Sequence, residues 1–90
     1  MRSASYTGQF KRDVKRAEKR GKNMAKLRRV IGLLLADHPL PRELSDHPLK
    51  GKWKPRRDLH IEPDWLLIYR IDDDAVCFER TGTHSDLFGE

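Results

Sequence analysis

The hydrophobic period of the chain changes near residue 44, and this change restricts the folds that the chain can adopt. Before it, apolar residues recur every three or four positions, as they do on one face of a helix. After it, apolar and polar residues alternate or form short apolar runs, which is typical of strands. A short strand-like segment, residues 3–6, precedes the helical part. The pattern therefore predicts an α+β domain.

Two helices joined by a short link are predicted in the first half. Thr7 and Asn23 are suitable N-cap residues, and a stripe of apolar residues at helical spacing follows each of them. Gly21 is expected to end the first helix, and Pro39 with Pro41 to end the second. Because the link is short, the two helices are expected to form an antiparallel hairpin.

Three strands are predicted after residue 44, beyond a loop over residues 45–51. Residues 53–61 alternate, although Pro55 favours an edge or a bulge in the first part of this strand. Residues 65–71 are apolar on both faces, as in a central strand, and residues 75–80 form the last strand after a turn of three aspartates. The order β-α-α-β-β-β describes one domain over residues 1–90, with the helical hairpin on one face of a small, mostly antiparallel sheet.

Positive charge is concentrated in the first third of the chain. The net charge is +5, but residues 1–30 carry eleven Lys or Arg against two acidic residues, whereas residues 31–90 carry eight against twelve. Such asymmetry is typical of a protein that binds a polyanion. The first predicted helix and its C-terminal end carry six of these cations: Lys11, Arg12, Lys15, Arg16, Lys19 and Arg20.

The remaining composition favours a cytoplasmic protein without membrane contact. No apolar run approaches the ~20 residues of a membrane span, and the N-terminal residues lack the apolar stretch of a signal peptide. The single cysteine, Cys77, lies in a strand-like run and is expected to be packed rather than bridged.

Five polar residues fall where the ends of the predicted strands should meet. His47 lies in the loop before the sheet, His60 near the end of a strand, and Asp64 across the next turn. Arg80 ends the last strand and His84 follows it. If the three strands lie side by side, these residues gather at one rim of the sheet and form a candidate catalytic site.

A metal site is not expected at this rim. Three histidines and one aspartate are enough ligands for zinc, but the sequence has no closely spaced ligand pair and no cysteine partner. Arg80 nearby would also repel a dication. Nucleophilic catalysis is disfavoured as well, since neither Ser45 nor Ser85 lies in a strand–turn–helix elbow. We therefore expect no cofactor.

Acid–base cleavage of a phosphodiester suits the same residues better. RNA supplies its own nucleophile, the 2′-hydroxyl, so the protein needs a base, an acid and a cation. Histidine suits the first two roles because its pKa lies near neutrality. Arg80 suits the third because its charge is permanent. Strict alternation, however, would turn Arg80 towards the core, so the strand is expected either to bulge near Glu79 or to end with Arg80 at the rim.

Three strings carry a resemblance to a known family: DHPLKGKW (46–53), RDLHIEPDWLLIYRI (57–71) and FERTGTHSDLFG (78–89). Together with the start of the first helix, TGQF (7–10), they closely resemble YafQ-type toxins of the RelE/ParE superfamily. The resemblance covers nearly the whole chain. It implies a RelE-like fold, a ribosome-dependent endoribonuclease that cuts mRNA in the A site, and inhibition of translation.

The resemblance also implies partners. These are a cognate antitoxin, the ribosome with its RNA, and mRNA. The toxin itself is expected to be a monomer that forms a larger complex with its antitoxin. The six cations of the first helix are then the expected ribosome-binding residues, because ribosomal RNA is a polyanion.

The same resemblance implies residue roles at the rim. His84 is expected to be the general acid and Arg80 to stabilise the phosphorane. Asp64 or His47 is the expected base, and His60 is expected to share that role or to bind phosphate. Expected substrate-binding residues are Trp65 and Phe88, which could also be packed in the core, and the cations Lys50, Lys52 and Arg57.

Three alternative functions remain open from the sequence. The first is a non-enzymatic inhibitor of gyrase, like the ParE branch of the superfamily, although such proteins lack this set of histidines. The second is a ribonuclease that needs no ribosome. The third is a degenerate toxin that only sequesters antitoxin.

Overall fold

The computed structural model describes residues 1–89, which form three helices and five strands. Two short 3₁₀ turns, Arg42–Leu44 and Gly51–Trp53, lie in the connection between the helices and the main strands. No helix within the described residues is long and apolar enough to cross a membrane. The elements in chain order are β1 (Ser3–Tyr6), α1 (Gly8–Lys19), α2 (Met24–Leu35), β2 (His47–Pro48), β3 (Arg57–Glu62), β4 (Trp65–Asp72), β5 (Ala75–Gly82) and α3 (His84–Phe88).

The strands form one sheet in the order β1-β5-β4-β3-β2. β1 runs parallel to β5, and the other three pairings are antiparallel. The predicted α+β class and the mostly antiparallel sheet are therefore confirmed. β4 lies at the centre, with both neighbours hydrogen-bonded to it, which explains why residues 65–69 are buried on both faces.

The predicted helix ends are largely confirmed by local hydrogen bonds. The Thr7 hydroxyl accepts from the backbone N–H of Phe10, and the Asn23 side chain accepts from that of Ala25. Gly21 has a φ of +78°, the left-handed conformation that commonly ends a helix. α2 ends at Leu35, before the prolines predicted to stop it.

The two faces of the sheet carry different apolar clusters. The inner face packs against α1 and α2, and its core includes Phe10, Leu27 and Val30 from the helices and Leu67 and Phe78 from the sheet. The outer face bears a smaller cluster, named here the outer cluster. It comprises Leu66, Ile68 and Leu87, with the half-buried side chains of Leu49, Trp53 and Phe88 packed against them.

Three segments differ from the prediction. The strand predicted over residues 53–61 begins only at Arg57, because Trp53 closes a 3₁₀ turn and packs on the outer cluster. The predicted loop over residues 45–51 contains the two-residue strand β2. The segment after β5 forms the short helix α3, which was not predicted. Its sequence signal was the pair Thr83 and Asp86, which form a capping box.

A β-bulge at Glu79 turns Arg80 away from the core, which is one of the two arrangements expected from the sequence. Tyr69 pairs with Phe78, but its neighbour Ile68 pairs with Arg80, so Glu79 is the extra residue in β5. Residues opposite each other on antiparallel strands point to the same face. Arg80 therefore shares the outer face with Ile68, whereas Phe78 stays in the core.

Candidate active site

Three histidine rings form a row along the outer face at the β2–β3 side of the sheet. His47 lies on β2 opposite Asp58, His60 on β3 opposite Leu66, and His84 opens α3. The ring centres of His47 and His60 are 6.3 Å apart, and those of His60 and His84 are 5.6 Å apart. The predicted gathering of the three imidazoles is thus present in the fold.

Asp64 holds His84 at one end of the row. Its Oδ1 atom accepts from the backbone N–H of His84 at 2.9 Å and lies 2.6 Å from the Nδ1 atom of the same ring. The hydrogen bond from the backbone N–H of His84 contributes most to lowering the pKa of Asp64, and the hydrogen bond to the ring adds to it. A carboxylate with a lowered pKa is a weak base, but it orients the His84 ring so that Nε2 remains available to a ligand.

His47 is engaged by the protein through both of its ring nitrogens. Nδ1 lies 2.8 Å from the Ser45 carbonyl oxygen, which can only accept, so Nδ1 carries the hydrogen. Nε2 lies 2.8 Å from Oδ1 of Asp58, although this contact lacks the geometry of a regular hydrogen bond. Burial raises the pKa of Asp58, and the attraction of its carboxylate to the protonated form of the three nearby histidines opposes this shift.

His60 lies between the other two rings and is only half-buried. No hydrogen bond from residues 1–89 engages its ring nitrogens, in contrast to those of His47 and His84. Both nitrogens of His60 are therefore open to a bound ligand. Within the same residues, no three His, Cys, Asp or Glu side chains converge as metal ligands.

Arg80 lies on the same face as the imidazoles but not among them. Asp58 and Arg80 both pair with Ile68, from opposite sides of β4. With strands about 4.8 Å apart, their Cα atoms are roughly 10 Å from each other. The side chain of Arg80 bonds to the buried carboxylate of Asp13 on α1, with Nε 2.8 Å from Oδ2. The predicted five-residue cluster is therefore a group of four residues, with Arg80 two strands from His60 and bound to Asp13.

A cavity of about 400 Å³ lies between Arg80 and Trp53, which packs on the outer cluster. Trp53 forms an aromatic wall of this cavity, and its ring meets Phe88 edge to face at 5.4 Å. Two further cations, Lys52 and Arg56, line it together with Thr7, Gln9 and Glu79. Lys52 is exposed, whereas Arg56 is paired with Glu79 at 2.6 Å. The cavity combines positive charge with an aromatic surface.

Two of the predicted substrate-binding residues point away from this face. Trp65 is buried in the core against the helices, and its indole N–H donates to the Thr81 hydroxyl at 3.0 Å, so the stacking role is wrong. Arg57 pairs with Tyr69 on the inner face and binds Asp46 at 2.8 Å, so it is also excluded. Strand alternation explains both, because each lies one residue out of phase with the histidine face.

The other three predicted substrate contacts lie where RNA could reach them. Phe88 is half-buried on the outer cluster, so its packing role is confirmed, while its exposed edge faces the same side as the imidazoles. Lys50 and Lys52 are exposed in and beside the 3₁₀ turn that carries Trp53. Of these two lysines, Lys52 lines the cavity.

Two of the six cations predicted to bind the ribosome are used inside the protein. Arg20 forms a two-point ion pair with Asp86 of α3, and Arg16 bonds to the Thr81 carbonyl as well as to acidic side chains. Tertiary contacts with β5 and α3 thus engage both side chains, and their assignment to ribosome binding stays a prediction. The remaining four, Lys11, Arg12, Lys15 and Lys19, are exposed on α1.

Three aspartates for which no role was predicted organise the site. Asp13 is buried and holds Arg80, Asp58 contacts His47, and Asp86 caps α3. Asp86 had a local signal in the capping box. Asp13 and Asp58 had none, because each lies within an ordinary polar pattern and becomes important only through partners distant in sequence.

Comparison with known proteins places the chain among bacterial toxins. The family model described as "Bacterial toxin of type II toxin-antitoxin system, YafQ" matches residues 2–89. The chain is 53% identical to the mRNA interferase toxin YafQ of Escherichia coli, with 99% of this chain and 98% of that protein covered. It is 42% identical to a putative toxin YafQ of Haemophilus influenzae, covering 90% and 86% respectively.

Solved structures agree with this comparison. The crystal structure of the E. coli DinJ–YafQ complex contains a chain that matches with a TM-score of 0.93 and 52% identity, covering 99% of this chain and all of that one. A match of this quality extends to the sheet, the helical hairpin and the C-terminal segment that carries His84.

Proposed function

Because the chain belongs to the YafQ toxin family, we infer that it is the toxin of a type II toxin–antitoxin pair and an mRNA interferase, an endoribonuclease that cleaves messenger RNA. Its protein partner is a cognate antitoxin. The observation that carries the enzymatic assignment is the row of three imidazoles between Asp58 and Asp64 on an open face.

We propose acid–base cleavage in which His60 is the base and His84 the acid. The 2′-oxygen attacks the adjacent phosphorus while its proton passes to His60. The bond from phosphorus to the 5′-oxygen breaks, and that oxygen takes a proton from Nε2 of His84. The products are a 2′,3′-cyclic phosphate and a 5′-hydroxyl. Ring centres 5.6 Å apart allow both imidazoles to reach oxygens of one phosphate group.

The hydrogen-bond partners of the other candidates argue against their use as the base. Asp64 is bound to His84 through the oxygen that faces it, and its lowered pKa makes it less basic. His47 has protein atoms at both ring nitrogens. The ring nitrogens of His60, in contrast, are engaged by no other group within residues 1–89. His60 is therefore the best placed of the three candidates to accept the proton.

His60→Gln is expected to lower the rate constant for cleavage about a hundredfold, because glutamine cannot accept the 2′-hydroxyl proton. His47→Gln should have a smaller effect, since His47 acts on its neighbours rather than on the substrate. The rates are to be measured on ribosomes programmed with a defined message. His38→Gln is the matched control, since His38 is exposed and lies outside the site. A normal rate for His60→Gln would contradict its assignment as the base.

We further propose that Arg80 and the cavity beside it bind the nucleotide next to the scissile phosphate. A strand of RNA that places one phosphate at the imidazoles would cross the outer cluster and reach Arg80 two strands further along the sheet. Trp53 offers a surface on which a base can stack, and Lys52 offers an exposed charge for a phosphate. In this arrangement Arg80 also contributes to the positive potential that stabilises the phosphorane.

Lys52→Gln is expected to raise KM for programmed ribosomes about fivefold with little change in kcat, because an exposed lysine adds binding rather than chemistry. Lys54→Gln is the matched control, as Lys54 is exposed two residues away and does not line the cavity. Steady-state cleavage at several ribosome concentrations separates the two constants. Equal effects of the two substitutions would exclude the cavity from substrate binding.

The proposed setting is the ribosomal A site in the cytoplasm. Support comes from the exposed cations of α1, which can contact phosphates of ribosomal RNA on a surface distinct from the imidazole row: Lys11, Arg12, Lys15 and Lys19. Primer extension on translated messages after induction tests this setting, because cuts should follow the reading frame. Cleavage of naked RNA at the same positions and rate would instead indicate a ribosome-free ribonuclease.

A further inference from the structure

An ionic clasp joins the C-terminal end of α1 to α3. It is defined here as Arg16, Arg20 and Asp86. The two Nη atoms of Arg20 lie 2.7 and 3.3 Å from the carboxylate oxygens of Asp86, and Nη2 of Arg16 lies 3.5 Å from the same group. The pair of Arg20 and Asp86 connects residues 66 positions apart in the chain.

The same carboxylate builds the first turn of α3. Asp86 accepts from the backbone N–H of Thr83 at 2.9 Å, and the Thr83 hydroxyl accepts from the backbone N–H of Asp86 at 3.0 Å. Bonding to Arg20, the Thr83 hydrogen bonds and the charge of Arg16 together hold the pKa of Asp86 well below its usual range. One charged group thus fixes both the start of the helix and its contact with α1.

Arg16 and Asp86 of the clasp pack closely against Gly82. A Cβ atom on Gly82 would lie 2.8 Å from Nη2 of Arg16 and 2.9 Å from both Cβ and Oδ2 of Asp86. These distances are shorter than van der Waals contacts, so only glycine allows the two clasp residues to meet over β5. Thr83 and His84 follow Gly82 in the chain, so a movement of the clasp would also move the proposed acid.

We propose that the clasp is a positioning device for His84, and that Arg16 and Arg20 serve the reaction through α3 rather than by binding RNA. The proposal rests on the function inferred above. α3 begins at His84, which is also held by Asp64, an exposed residue, while Leu87 packs on the outer cluster further along the helix. Without the clasp, α3 can shift, and the His84 ring then loses its alignment with the scissile phosphate.

The clasp and the ribosome-binding interpretation of α1 predict different kinetic effects. A residue that positions the acid changes kcat and leaves KM nearly unchanged, whereas a residue that binds ribosomal RNA changes KM. Arg20 and Arg29 are both exposed arginines, but Arg29 lies on α2, and of the two only Arg20 contacts Asp86. This pair therefore offers a matched comparison.

Arg20→Gln is expected to lower kcat about three- to tenfold with KM unchanged on programmed ribosomes, whereas Arg29→Gln should leave both constants unchanged. Amide hydrogen exchange of residues 84–88 in the free toxin should accelerate about two- to fivefold in Arg20→Gln only.

Arg20→Lys should recover part of kcat, because it keeps the charge. Asp86→Asn, which keeps an oxygen for the cap, should add little to Arg20→Gln in the double variant.

Two results would overturn the proposal. One is a change in KM alone for Arg20→Gln, and the other is identical behaviour of Arg20→Gln and Arg29→Gln in both kinetics and exchange. An inactive wild-type protein would instead overturn the proposed function. The exchange measurement would still decide in that case whether the clasp fixes α3.

Discussion

His84→Gln is expected to lower the rate constant for mRNA cleavage on programmed ribosomes about a thousandfold. Glutamine retains an amide that can donate to Asp64 in place of Nδ1, so the backbone and the start of α3 should stay as they are. It cannot supply a proton to the departing 5′-oxygen. The loss therefore isolates proton donation from the other contributions to catalysis.

The size of the effect depends on which part of the Asp64–His84 pair is removed. Asp64→Asn keeps the imidazole and loses only the charge that orients it, so we expect about a tenfold loss. Single-turnover cleavage separates chemistry from product release, and antitoxin binding with denaturant unfolding checks that each variant is intact. Cleavage by His84→Gln at a rate close to that of wild type would show that another group is the acid.

Asp13→Asn is expected to lower the free energy of unfolding by about 3 kcal/mol, the largest stability effect we expect from one polar substitution in this chain. The Asp13 side chain is fully buried, with no exposed surface. It accepts from Arg80 at 2.8 Å, from the Thr81 N–H at 3.1 Å and from Gln9 at 3.1 Å, and Arg16 lies 3.2 Å away. Asparagine removes the negative charge. Its NH₂ group, which can only donate, would then face the N–H groups that donate to Asp13 in the wild type.

Denaturant unfolding of the two proteins measures the difference, and an unchanged slope shows that both unfold in the same way. Glu18→Gln on the exposed side of the same helix is the matched control and should change stability by less than about 0.5 kcal/mol. Combining Asp13→Asn with Arg80→Gln should recover part of the loss, because the Arg80 charge that lost its partner is then also removed. Equal stabilities for Asp13→Asn and wild type would show that the carboxylate is not important for folding.

The helices and strands were predictable because their signals are local. The caps at Thr7 and Asn23 and the apolar run of β4 depend on neighbours within a few positions. The bulge at Glu79 was also predicted as one of two arrangements, because a strand has few other ways to keep a cation out of the core. Residues 53–56 were assigned wrongly, because the alternation there reflects packing of Trp53 on the outer cluster rather than pairing in a strand.

The site was predictable in its residue types and only partly in its arrangement. His47, His60, Asp64 and His84 come together because the ends of adjacent strands meet, which the order of elements already implied. Trp65 and Arg57 lie on the face of the sheet that packs against the helices, so they do not share the face of the histidines. The contacts of Arg16 and Arg20 with Asp86 were not predicted, because Asp86 is distant in sequence.

The sequence by itself determined the class of fold, the residue types of the site and the family, since these depend on periodicity and on motifs read along the chain. Only the tertiary structure decided which carboxylate restrains which cation or imidazole. A buried or half-buried charge takes the nearest opposite charge in space, and Asp13 with Arg80 or Arg20 with Asp86 become neighbours only after the sheet and helices have packed.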